Sequence, residues 1–126
     1  MTITKKYNSD IKIVFTDLDW TLFDHNILDY QKSAIKTIKK LRKRGIKVIL
    51  NTARCYSSLL TVDAFNKIPH DGYICSNGGI AFVDNKYLYK ESLSPDLVKD
   101  IIDFANKENY LLQLISKLDS FHSFIS

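Results

Sequence analysis

The stretch Ile13-Val14-Phe15-Thr16-Asp17-Leu18-Asp19-Trp20-Thr21-Leu22 constrains the fold more than any other part of the chain. A short apolar run with β-branched residues predicts a buried strand, from about Ile11 to Thr16. It runs straight into two carboxylates one residue apart. Along an extended chain, the side-chain period of two would aim Asp17 and Asp19 the same way, past the strand's carboxyl end. Two like charges placed there repel, and both resist leaving water. A divalent cation relieves this, because hard cations take carboxylate and carbonyl oxygens. The plainer alternative is a solvated strand-end Asp that caps a turn, with the second Asp incidental.

The segments after this strand set the fold class. Leu22 to Leu28 reads as loop, with Asp29 as the expected N-cap of a helix. Tyr30, Ala34, Ile38 and Leu41 recur at helical spacing, and Gly45 ends the segment. Ile46 to Leu50 is a second β-branched run. Strand, helix and strand of these lengths make a right-handed βαβ unit with parallel strands. In such sheets, ligands gather beyond the carboxyl ends of the strands.

The second strand delivers Asn51-Thr52-Ala53-Arg54 to that edge, before a helical segment from about Tyr56 to Lys67. A hydroxyl and backbone N–H groups at a helix start suit a phosphoryl oxygen. After the turn Pro69-His70-Asp71-Gly72, a third strand Tyr73 to Ser76 stops at Asn77-Gly78-Gly79, where glycine permits unusual backbone shapes. Ile80 to Val83 and Tyr87 to Tyr89 flank Asp84-Asn85 as a hairpin. Ser94-Pro95 opens a helix to about Glu108, with Leu97, Ile101, Ile102 and Ala105 on one face. Tyr110 to Ser116 and Ser120 to Ile125 read as two strands around Lys117-Leu118-Asp119. Residues Met1 to Asp10 are polar and expected to fray.

Composition narrows the class. A chain of 126 residues with 45% hydrophobic and 25% charged residues is that of a soluble globular domain or part of one. No apolar run is long enough for a membrane span, and the N-terminus lacks a signal-peptide core. Cys55 and Cys75 have no metal-type spacing, and lone thiols without an export signal suit a cytoplasmic location. Cys75 is expected in the core and Cys55 nearer solvent. The net charge of +4 owes much to Lys39-Lys40-Leu41-Arg42-Lys43-Arg44. Those cations suit the last turn of a helix and lack interleaved aromatics, so no nucleic-acid partner is expected.

In order and spacing, Asp17-Leu18-Asp19-Trp20-Thr21, Thr52-Ala53-Arg54 and Asn77-Gly78-Gly79 resemble the haloacid dehalogenase (HAD) superfamily of phosphohydrolases, in particular its Cof-like branch. The superfamily's first motif is Asp-x-Asp-x-Thr, usually with Gly where Trp20 stands. Its second often reads Thr-Gly-Arg, and Ala53 replaces that Gly. The Asn-Gly-Gly turn borders the active site in the Cof-like branch and leads to the cap. The resemblance implies an α/β fold with a Rossmann-like parallel sheet. Residues 1–90 would form a partial core and residues 91–126 the start of an α/β cap domain. It also implies a Mg²⁺-dependent phosphomonoester hydrolase that acts on a small phosphorylated metabolite. Asp17 would attack phosphorus to form an aspartyl phosphate, and Asp19 would serve as acid and then base. Asp17 and the Asp19 carbonyl would hold Mg²⁺. Thr52 would bind a phosphoryl oxygen, with Arg54, Asn77 and Gly78 along the substrate's approach.

The resemblance covers the chain from Ile11 onward but only the front part of the family's fold. The family's Lys motif and acidic fourth motif lie after the cap, and neither stands here. Lys86, Lys90 and Lys99 occupy other contexts. A non-catalytic truncated remnant, or half of a split protein, is therefore the second reading. A receiver-like phospho-accepting domain is a third, opposed by the Asp-x-Asp-x-Thr spacing and the hairpin. Without the later strands, strand one is expected at a sheet edge, apolar and unpaired, and prone to self-association.

Overall fold

The computed structural model of the chain describes residues 10–116 and 120–123. The expected fraying of residues 1–9, the turn at 117–119 and the strand end at 124–125 lie outside those residues. Five strands form one mixed sheet in the order β1 (Ile13–Thr16), β4 (Lys47–Asn51), β5 (Gly72–Cys75), β6 (Ile80–Val83) and β7 (Lys86–Lys90). The first two pairings are parallel and the last two antiparallel. Two further two-stranded pieces are β2 (Phe23–Asp24) with β3 (Asp29–Tyr30), and β8 (Leu112–Ile115) with β9 (Ser120–Ser123).

The βαβ expectation holds. Helix α1 (Lys32–Lys43) carries the chain from β1 to β4, which pair in parallel with Val14 opposite Val48 and Thr16 opposite Leu50. Basic residues in its last turn meet the helix dipole, and Gly45 comes just after with φ of 78°. Val48, Ile49 and Leu50 are all buried, as in a strand covered on both faces. Val48 and Leu50 pack with Ile38, Leu59, Ala64 and Ile68 on the helical side of the sheet.

Strand one departs from the expectation of burial. It starts at Ile13, forms the edge of the sheet, and leaves Ile13 41% and Phe15 54% exposed. Its placement at an edge agrees with the expectation for a sheet lacking later strands. Asp29 is not a helix cap. It lies in β3, where its Oδ1 accepts from the Tyr30 N–H at 2.8 Å and Lys67 Nζ at 3.0 Å. Gln31 precedes the helix without a side-chain cap. Tyr30 lies before the helix and is buried, its ring edge-on to Phe23. Leu22 to Leu28 is thus partly a small hairpin rather than plain loop.

The single helix expected over Tyr56 to Lys67 is two, α2 (Tyr56–Thr61) and α3 (Ala64–Lys67), parted where Asp63 takes a left-handed φ of 53°. The third strand lies one residue earlier than expected, and Gly72 explains why. A Cβ there would come 2.4 Å from the Phe82 carbonyl oxygen, so only glycine fits where β5 meets β6. The hairpin around Asp84-Asn85 forms as read, with both turn residues at positive φ. Helix α4 (Pro95–Lys107) is capped by Ser94, whose Oγ accepts from the Leu97 N–H. Among the described residues, no helix is long and apolar enough to cross a membrane.

Candidate active site

Strand register brings the three motifs to one end of the sheet. Thr16 pairs with Leu50 and Asn51 with Ile74, so Asp17, Thr52 and Ser76 each emerge just past the carboxyl ends of neighbouring parallel strands. Thr52 is buried, and its N–H donates to the Ile74 carbonyl at 2.9 Å. Its Oγ1 accepts from the Arg54 N–H at 3.1 Å, although α2 begins only at Tyr56. The Arg54 carbonyl in turn accepts from the Ser76 N–H at 2.7 Å, locking the second and third motifs together.

Asp17 is solvent-exposed, and one carboxylate oxygen accepts from the Leu18 N–H at 2.8 Å. Leu18 is fully buried, and its carbonyl accepts from the N–H groups of Thr21, Leu22 and Phe23. That tight turn needs a left-handed residue, and Trp20 supplies it at φ of 60°. Glycine would take this shape without steric cost. Trp20 instead accepts the strain and lays its ring beside His25, with centroids 4.6 Å apart.

Asp19 is held on all sides. Arg54 Nε donates to Oδ2 at 2.9 Å and Arg54 Nη2 to Oδ1 at 2.8 Å, a two-pronged pair. His25 Nε2 lies 2.7 Å from the same Oδ1. The Arg54 hydrogen bonds hold the Asp19 carboxyl below the usual carboxylate range, against partial burial and with help from His25. The same pairing with Asp19 raises Arg54. Arg54 Nη1 also donates to Ser58 Oγ at 2.8 Å, and its guanidinium carbon sits 5.9 Å from the Phe23 ring centre.

Asn77 and Gly78 form the turn between β5 and β6, at φ of 52° and 91°. Asn77 lines a cleft of about 560 Å³ together with Ala53, Cys55, Ser76, Leu93 and Gln113. The cleft separates the strand ends from the α4–β8 region, and its lining stops short of Asp17, Asp19 and Thr52. Arg54, expected along the substrate's approach, is instead engaged with Asp19. Sequence pattern alone does not single out His25 or Ser58. The only local signal for His25 is its place in the Asp24-His25-Asn26 turn of the β2–β3 hairpin.

Oxygen donors of the kind at Asp17 and the Asp19 backbone suit a hard divalent cation, leaving the rest of its shell to water and phosphate oxygens. Among the described residues, no group of three acidic, histidine or cysteine side chains gathers to hold a metal.

The profile of the haloacid dehalogenase-like hydrolases matches residues 14–124, and the chain belongs to that family. A phosphoglycolate phosphatase of Sulfolobus acidocaldarius is 34% identical over 80 residues, which is 60% of this chain and 34% of that protein. YkrA of Bacillus subtilis, named for a proposed phosphatase activity, is 26% identical over 98 residues, 78% of this chain and 37% of its own length. The chain thus spans little more than a third of these curated relatives. The fold matches that of BT1666, a HAD phosphatase of Bacteroides thetaiotaomicron. The TM-score is 0.82 at 22% identity, covering 96% of this chain and 44% of that one.

Proposed function

We infer that the chain carries the nucleophile-bearing half of a Mg²⁺-dependent phosphomonoester hydrolase that acts on a small phosphorylated metabolite. The observation that carries this is the convergence of Asp17, Asp19, Thr52 and Arg54 at one strand edge of a phosphatase-family fold. Residues 1–90 are its partial core and residues 91–126 the start of its cap. The phosphoglycolate phosphatase relative favours a small acidic substrate. Two thiols set far apart in the sequence, Cys55 and Cys75, suit a reducing cytoplasm. The exposed, apolar β1 edge is a surface for self-association.

The chemistry comes from the residues themselves. Asp17, exposed and bonded only lightly to its neighbour's N–H, attacks phosphorus, and the ester P–O bond breaks. The leaving alkoxide takes its proton from Asp19, which has to be protonated for this step and therefore released from the Arg54 pair that favours its ionised form. Water then attacks the aspartyl phosphate and passes its proton back to Asp19, as the bond from Asp17 to phosphorus breaks. Thr52 uses a lone pair on the Arg54 N–H, which leaves its hydroxyl proton for a phosphoryl oxygen. Asp17 and the Asp19 carbonyl would hold a divalent cation, which would supply charge neutralisation between nucleophile and phosphate.

A non-catalytic remnant is the competing reading. Hydrolysis of a generic aryl phosphate with Mg²⁺, by this chain and by Asp17→Asn, separates the two. Turnover lost on substitution supports the hydrolase. Equal turnover in both removes Asp17 from its role, and no turnover in either supports the remnant.

A further inference from the structure

The hydrolase reading leaves Asp19 in conflict with itself. An acid that must reach a leaving oxygen is here fully engaged, with both oxygens on Arg54 and one shared with His25. The fork of a guanidinium fits carboxylate and phosphate alike, so the group now holding Asp19 is one built to hold a phosphoryl group.

We propose that Asp19 is an internal stand-in for the substrate's phosphoryl group: an arriving phosphate takes over the Arg54 fork, and His25 then holds Asp19 in position. The inference rests on the hydrolase reading and adds to it a guard, since Asp19 is released only when a phosphoryl group is present. His25 is a positioning residue in this scheme.

Three observations carry it. The backbone of Arg54 is pinned between Thr52 Oγ1 at 3.1 Å and the Ser76 N–H at 2.7 Å, so the side chain pivots from a fixed point beside the phosphoryl-binding edge. Ser58 retains one arm of the guanidinium through Nη1, leaving the fork to exchange partners nearby. His25 has ring neighbours besides Asp19, with Trp20 at 4.6 Å and Phe23, which also lies under the Arg54 guanidinium, edge-on at 5.0 Å. It therefore keeps its place when the guanidinium turns away. A phosphate dianion carries more charge than a carboxylate and fits the same fork, so it can compete with Asp19 for it.

Trp20 is the chain's one tryptophan and sits against His25, so its emission reports on the exchange. Inorganic phosphate is titrated into the whole chain with Mg²⁺ at constant ionic strength, and binding is read separately from phosphorus NMR line widths. The expected result is a saturable emission change that tracks binding. Arg54→Ala should weaken binding about tenfold or more and abolish the change. Where Arg54→Ala fails to fold, as judged by its melting curve, Arg54→Lys keeps the charge without the fork and should lose most of the response. His25→Ala should bind phosphate within about twofold of the parent and lose the emission change. In a parallel titration without Mg²⁺, Asp19→Asn, which weakens the internal competitor, should bind phosphate more tightly than Asp17→Asn, which removes a neighbouring charge and leaves the Arg54 fork paired.

Absence of phosphate binding, a full response in Arg54→Ala and Arg54→Lys, or equal tightening in Asp17→Asn and Asp19→Asn would each overturn the proposal. The ester assay on Asp17→Asn judges the hydrolase reading separately. Turnover without a Trp20 response defeats the exchange and spares the hydrolase, whereas a response without turnover does the reverse.

Discussion

Tyr30 donates its hydroxyl to the Val62 carbonyl at 2.8 Å, across 32 positions of sequence. This bond ties the β2–β3 hairpin, which carries His25 toward Asp19, to the break between α2 and α3. Site geometry and helix packing are therefore coupled through one phenol. Tyr30→Phe removes the donor and strands the carbonyl, at a cost of about 1 kcal/mol. Thermal denaturation at neutral pH should show a melting point lower by roughly 3–5 °C.

The same residue gives an alkaline signature. Burial pushes the Tyr30 hydroxyl up to about 12 from its ordinary 10.0. The folded state therefore keeps a proton that the unfolded chain gives up. Its contribution is fully present below pH 10 and is lost as pH rises through about 12. Stability measured by denaturant titration should fall over that window, and less steeply in Tyr30→Phe.

Asp71 makes the corresponding acid-side prediction. Burial works against its charge, but Arg42 at 3.1 and 2.9 Å and the Val48 N–H at 2.9 Å outweigh it, so its carboxyl lies below the usual range. Folding thus favours the ionised form, and this contribution is present above the ordinary carboxylate value, about 3.9. It is lost as pH falls through the lowered one. Asp71→Ala should cost about 1 kcal/mol near neutral pH, after allowance for the half-exposed Arg42. The difference between parent and variant should close in acid titrations of stability.

Much of this architecture was legible in the sequence because it rests on local rules. Apolar runs bounded by turn residues gave β4, β5 and the β6–β7 hairpin, and Ser94-Pro95 marked the start of α4. Tyr30 was misplaced because it sits four residues before Ala34, a spacing that fits a helical face as well as a strand packed just ahead of one. The break at Asp63 carries no glycine or proline, so nothing local announced it. Strand one looked buried because its apolar content does not reveal how many neighbours it has. The pairing of Arg54 with Asp19 spans 35 positions and depends on the tertiary fold, beyond any periodic pattern.

The exposed edge of β1 has its own consequence. Ile13 and Phe15 present apolar side chains on a strand that, among the described residues, pairs on one side alone, a template for another strand. Sedimentation or light scattering should show mass rising with concentration, and Ile13→Lys with Phe15→Lys should suppress the rise. A parent chain that stays monomeric at high concentration would remove this edge as an association surface.

The central claim is that Asp17 takes the phosphoryl group covalently. The most direct measurement is to incubate the chain with Mg²⁺ and an activated phosphoryl donor, quench in acid, and locate the modification by peptide mass spectrometry. The expected result is a phosphoryl group on the peptide bearing Asp17, labile to hydroxylamine and absent from Asp17→Asn. Phosphate released while Asp17 stays unmodified, or a phosphoryl group lodged on another residue, would contradict the account.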